Sequence, residues 1–237
     1  MLLRRSASSV VARRAVLAAP ARPSRSRCLA TVTSASAQPI HIAAISGSLR
    51  KGSTNTGLLR AAAKNLPEGV TFEIVDIGGL PTYNDDIWQD TNDESVIPEA
   101  IRTFRAKVLK ADALLFACPE YNLGVTSALK AAIDWGYCPH GPNVFDGKAA
   151  AIVGSGGGGG TARAQTQLRT MGPNMNVYFV NGPDVALKRY ENPQWFSESG
   201  DLLDPKVEGS DLLDPKVEGW VKNKVADLVT LARKLKA

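Results

Sequence analysis

A doubly wound α/β domain, built on one five-stranded parallel sheet with helices on both faces, is what residues 39–237 predict. Three observations carry this expectation. Short runs rich in Val, Ile and Ala alternate with amphipathic stretches, the order that produces βαβ units. The apolar runs are nearly continuous, as strands covered on both faces require. Glycine- and serine-rich or proline-led segments follow three of those runs, where such a sheet binds its ligands.

The strands are expected at Ile40–Ile45, Val70–Asp76, Ala113–Cys118, Ala149–Val153 and Asn176–Val180. Helices are expected over about Thr54–Asn65, Val96–Lys110, Thr126–Trp135, Thr161–Met171 and Pro215–Lys236. Every crossover is long enough for a right-handed connection, and five strands favour the order 2-1-3-4-5 of a flavodoxin-like sheet.

The 237 residues suit one such domain with appendages, and no stretch reaches the roughly 18 apolar residues of a bilayer span. The formal charge of +5 is unevenly placed. Residues 1–40 hold seven Arg, no Lys and no acid, and the first acidic residue is Glu68. Without them 21 basic residues face 23 acidic ones, so the basic balance belongs to the N-terminal segment and gives no ground for a nucleic-acid partner. Arg4, Arg5, Arg13 and Arg14 alternate with Leu2, Leu3, Val10, Val11, Val16 and Leu17, the pattern of a mitochondrial targeting helix. Residues 1–38 are therefore expected to be an organelle-targeting presequence cut near Leu29, with a chloroplast address or a retained basic arm as alternatives.

Cys118 and Cys138 lack metal-ligand spacing, Cys28 falls in the presequence, and His41 and His140 stand outside any zinc frame, so metal catalysis is not expected. The tail contains a tandem decapeptide, GDLLDPKVEG at Gly200–Gly209 and SDLLDPKVEG at Ser210–Gly219. Only the second copy continues into a helical run, so the first is expected to be a surface insertion.

Three loops carry the chemistry. Ser46–Asn55, SGSLRKGSTN, joins the first strand to the first helix, where free backbone N–H groups and the helix dipole favour an anion. Ser48, Ser53, Thr54 and Asn55 add neutral donors, and Arg50 adds a planar charged fork suited to a phosphate. Gly47 and Gly52 have Walker A spacing, but Ser53 stands where the lysine is required and Lys51 precedes Gly52, which disfavours triphosphate hydrolysis. Pro119-Glu120-Tyr121-Asn122 follows the third strand and offers a wall for a flat ring. Gly154–Gly160 follows the fourth; its match to GxGxxG is weak because five consecutive glycines satisfy many patterns and no acidic residue stands about 20 residues on. No Ser is framed as GxSxG, so serine hydrolase chemistry is disfavoured.

With GSLRKGSTN, PEYN, LKAAIDW and GGTARAQTQLR in order, residues 39–237 resemble the NADPH-dependent FMN reductase family, especially its quinone and chromate reductase branch. The resemblance implies non-covalent FMN. Its phosphate would lie on Ser48, Leu49, Arg50, Lys51, Gly52, Ser53, Thr54 and Asn55. Its ring would lie on Pro119, Glu120, Tyr121, Asn122, Ser155 and Gly156. It further implies NADPH or NADH as co-substrate, a quinone or similar acceptor in a ping-pong cycle at flavin N5 without a side-chain acid or base, and a homodimer or homotetramer. A flavodoxin-like electron carrier is the alternative. The chain departs from the family at Thr54, usually Phe, and at Thr126-Ser127, usually Pro-Gly.

Overall fold

The computed structural model describes residues 38–89, 91, 93–203 and 216–237. The presequence, apart from Gln38, and residues 204–215 of the decapeptides lie outside them. The chain runs β1 (Ile40–Ser46), α1 (Thr54–Lys64), β2 (Val70–Val75), α2 (Glu99–Lys110), β3 (Ala113–Ala117), the hairpin strands β4 (Glu120–Tyr121) and β5 (Gly124–Val125), α3 (Ser127–Gly136), β6 (Ala149–Gly156), α4 (Ala162–Met175), β7 (Tyr178–Phe179), β8 (Val185–Lys188) and α5 (Lys216–Lys236). Among the described residues no helix is long and apolar enough to cross a membrane.

The main sheet is parallel, in the order β2-β1-β3-β6-β7, with β8 also on β6. Its first four positions and their order are those predicted. The fifth is corrected: β7 pairs with Ala149 and Ala150, β8 with Val153 to Gly156, so two short segments share one edge of β6. Asn181-Gly182-Pro183 lies between them; Gly182 has φ +134°, and Pro183 has no N–H to give a ladder. A second correction concerns β6, which runs three residues past Val153 and takes Gly154, Ser155 and Gly156 into the sheet.

Alternation along the strands divides the core. Ala43, Ile45, Leu114, Phe116, Ala150 and Ile152 face α2, α3 and α4, joined by Ile101, Phe104, Leu129 and Leu168. Ile42, Ala44, Leu115, Ala117, Ala151 and Val153 face α1 and α5, joined by Leu58, Leu59, Val221, Val225 and Leu228. The last three recur at helical spacing, so α5 closes the lower face with a single apolar stripe.

The first decapeptide is not wholly a surface insertion. Gly200 is buried, its carbonyl oxygen 1.8 Å from where a Cβ on Gly57 of α1 would lie. Asp201 forms an ion pair with Arg60 of α1, and Leu202 packs on the α1–α5 core. In the second copy Val217 is buried and Glu218 accepts from Asn65 Nδ2 at 3.1 Å. Gly200 has φ +80°, and a Cβ there would lie 2.7 Å from Gly52 O, so a side chain at this position would be strained. Gly200→Ser is expected to destabilise the fold by about 1–3 kcal/mol, several degrees in Tm for a domain of this size. An unchanged thermal melt would show that this docking does not need glycine.

Candidate functional site

The three loops meet at the carboxyl edge of the sheet, beside the β1/β3 switch point. They line a cleft of about 140 Å3 with Ser48, Arg50, Ser53, Thr54 and Asn55 on one side and Pro119, Glu120 and Tyr121 on another. Ser155, Gly156, Gly157, Arg189 and Tyr190 complete it.

Close packing sets the first two loops against each other. A Cβ on Gly47 would lie 2.8 Å from Pro119 Cδ and 3.1 Å from Leu129 Cβ, so only glycine fits. Thr126 Oγ1 donates to Gly47 O at 2.6 Å and accepts from Leu129 N at 3.3 Å, at once capping α3 and tying it to the first loop. This is what Thr126 does where the resembled family usually has Pro. Ser53 caps α1, accepting from Thr56 N at 3.4 Å. The amides of Thr54 and Asn55, at the start of α1, have no intrahelical acceptor by helix geometry and lie beside the cleft.

Asn55 joins the first loop to the third. Its Nδ2 donates to Ser155 O at 2.8 Å and its Oδ1 accepts from Ser155 N at 2.9 Å. Beyond Cys118, which donates its N–H to Val153 O, β3 gives way to the hairpin while β6 continues. The Asn55 carboxamide takes the place of the missing neighbouring peptide. Its amide is thus engaged by protein and is not free to donate to a ligand. Ser155 Oγ, on a residue only 3% exposed, has no hydrogen-bond partner among the described residues and lines the cleft. An orphaned buried hydroxyl is costly unless a ligand or water meets it, so it fits a polar group placed there.

The PEYN segment is a hairpin. Asn122 and Leu123 both have positive φ, 52° and 66°, as a two-residue type I′ turn requires. Glu120 turns back to cap α4: its Oε2 accepts from Arg163 N at 3.0 Å and Ala164 N at 3.2 Å, an anion at a helix N-terminus. Its carboxylate therefore fixes the hairpin, and Tyr121 is left half exposed over the cleft.

Leu49, Lys51, Gly52 and Asn122 do not line this cleft; Leu49 lies along a neighbouring groove with Ile74, Asp76 and Ile77. Gly157 belongs to the third loop expected here and directly follows β6, whereas Arg189 and Tyr190 were not expected. They follow β8, whose alternation of Val185 and Leu187 marks a strand, and residues beyond a strand's carboxyl end are ligand candidates. Arg50 and Arg189 make no ion pair among the described residues, and Arg189 lies over the Tyr190 ring at 5.2 Å. The cleft therefore carries, beside the Glu120 carboxylate, two guanidinium groups that make no ion pair among the described residues. Cys118, buried and outside the cleft lining, has its thiol pushed up to about 12 by burial, reinforced by Glu120. His41 pairs with Thr71 and His140 lies beside Asp85; neither lines the cleft.

Fold and crevice define a flavodoxin-like domain with a cleft lined by Arg50 and Arg189 beside its switch point. The profile of the NADPH-dependent FMN reductases matches residues 40–192, and the chain belongs to that family. A probable NADPH:quinone oxidoreductase of Oryza sativa subsp. japonica is 42% identical over 74% of this chain and 85% of its own. An NAD(P)H-dependent FMN reductase of Pseudomonas aeruginosa is 43% identical over 71% and 87%. The solved structure of the flavoenzyme NAD(P)H:(acceptor) oxidoreductase FerB from Paracoccus denitrificans superposes with a TM-score of 0.67 at 28% identity, over 82% of this chain and 98% of that one.

Asn55→Ala would strand the N–H and C=O of Ser155, at about 1–3 kcal/mol for each buried group. A Tm lowered by several degrees is expected; a melt within about 1 °C of the parent would dismiss the link as structural.

Proposed function

We propose that this chain is an NAD(P)H-dependent FMN oxidoreductase that passes two electrons to a quinone. The observation that carries the reading is the meeting of three loops beside the switch point, in a cleft lined by Arg50, which makes no ion pair among the described residues, and by the orphaned Ser155 hydroxyl. The named relatives support the acceptor class: they include NADPH:quinone oxidoreductases.

Bound FMN would supply hydride acceptance from a nicotinamide and electron delivery to the quinone. Arg50, with the hydroxyls of Ser48 and Ser53 and the first amides of α1, would hold its phosphate. The dipole is worth about 0.3–1 kcal/mol and each charge-assisted hydrogen bond about 1.5–3, so the side chains would dominate that affinity. The hairpin and the Ser155–Gly156 backbone would hold the ring. Tyr121 and Tyr190, both exposed, flank the opening through which nicotinamide and quinone would enter in turn.

A homo-oligomer is part of the proposal: Tyr121 and Leu123, 54% and 64% exposed, give the hairpin an apolar tip that a second copy would cover. So is a mitochondrial presequence in residues 1–38, supported by its seven Arg and lack of acids, with a chloroplast address as the alternative.

Purified protein is expected to bind FMN and to oxidise NADPH or NADH when a quinone is present; reduction only by a protein partner would favour an electron carrier. Arg50→Ala should weaken FMN binding about tenfold or more, measured by fluorescence titration of the flavin. Unchanged affinity would refute the phosphate assignment while leaving the turnover test standing.

A further inference from the structure

Away from the flavin cleft, the edge of the sheet carries a cavity of about 480 Å3. One wall is Pro183, Asp184 and Val185, leading into β8. The other is a single face of α5, where Trp220, Asn223, Lys224 and Asp227 recur at i, i+3, i+4 and i+7. Helix α5 lies beyond residues 40–192, which the family profile matches.

Lys224 is the feature that needs a ligand. The residue is only 3% exposed, its Nζ has no hydrogen-bond partner among the described residues, and it lines the cavity. A buried ammonium without an acceptor is among the more costly arrangements a protein can hold. Burial pushes its pKa down, with the nearby Arg169 in the same direction and Asp184 and Asp227 opposing. The carboxylates around it do not meet the need. Asp184 is held by Arg169 at 3.3 Å, and Asp227 stands exposed on α5 and is not within bonding reach. An occupant must therefore bring its own acceptor to Lys224. The remaining walls say what else it brings: Trp220, 43% exposed, offers an aromatic face, and Pro183 and Val185 are apolar. An aromatic ring beside indole gains stacking as well as burial.

We propose that this cavity binds a small aromatic carboxylate, its carboxyl group accepting from Lys224 Nζ and its ring lying against Trp220 and Pro183. The site is separate from the flavin cleft, since none of its lining residues is shared. It does not rest on the proposed activity.

The test is calorimetric titration of the full chain, loaded with FMN, with benzoate, benzyl alcohol and inorganic phosphate as probes. Benzoate is expected to bind. Benzyl alcohol, with the ring but no charge, and phosphate, with charge but no ring, are each expected to bind at least about tenfold more weakly. Lys224→Met, which keeps the length of the side chain and removes the buried ammonium, should lose benzoate binding by about tenfold or more while FMN content stays at the parent level. Trp220→Ala should weaken it by a smaller factor, and because Trp220 is half exposed this variant keeps the test decisive if Lys224→Met folds poorly. Benzoate binding that is absent in the parent, or unaltered in both variants, would overturn the proposal. Phosphate binding as tight as benzoate would overturn the aromatic assignment.

Discussion

The paired hydrogen bonds between the Asn55 carboxamide and the backbone of Ser155 are the constraint on which the site depends. A strand that continues past its neighbour exposes unpaired peptide groups along that edge. Here β3 stops at Ala117 and β6 runs on to Gly156. A primary amide carries the same donor and acceptor as a peptide bond, so Asn55 completes the ladder from a helix. The substitution has a geometric consequence: the N-terminus of α1 is held at the end of β6, across 100 residues of sequence.

The rest of the cleft follows from that anchor. With α1 fixed against β6, the first loop must pass close to Pro119, which leaves no room for a side chain at Gly47. Thr126 then reaches Gly47 O and starts α3 at the same place. Glu120, carried on the hairpin, reaches the amides of Arg163 and Ala164, so the start of α4 is tied to the second loop as α3 is tied to the first. Each polar contact serves a helix terminus that would otherwise leave donors unpaired. The loops are held by groups that act as caps, and few side chains remain for a ligand: Arg50, Arg189 and the Ser155 hydroxyl stand apart because no cap or ladder uses them.

Much of this was legible in the sequence because it rests on period. Strands buried on both faces read as apolar runs, amphipathic helices read between them, and loops at strand ends read as ligand sites. What was not legible depends on contacts between distant residues. Ser53 and Asn55 look alike as hydroxyl and amide donors in SGSLRKGSTN, and only the continuation of β6 separates a cap from a clamp. The hairpin in PEYN required positive φ at Leu123, a residue that local preference would not place there. The fifth strand was seen as one run because Asn181-Gly182-Pro183 reads as its end; the sheet resumes at Val185 on the same edge of β6. Arg189 and Tyr190 were missed for the same reason. The first decapeptide was read as an insertion since no local pattern records that Gly200 meets α1.

Charge shows how local the site's preference is. Residues beyond the N-terminal forty hold 21 basic and 23 acidic side chains, so the net field of the folded region does not favour an anion. Two guanidinium groups that make no ion pair among the described residues stand at the open end of the sheet and act locally, where a net charge spread over the whole surface does not. Exposed charges more than about 8–10 Å away are screened at ordinary salt, while groups within a cleft are screened much less. The dipole of α1 adds a smaller contribution of the same sign. An anion would therefore be drawn by a few oriented donors at the switch point, and the orientation of those donors traces back to one carboxamide set into the edge of β6.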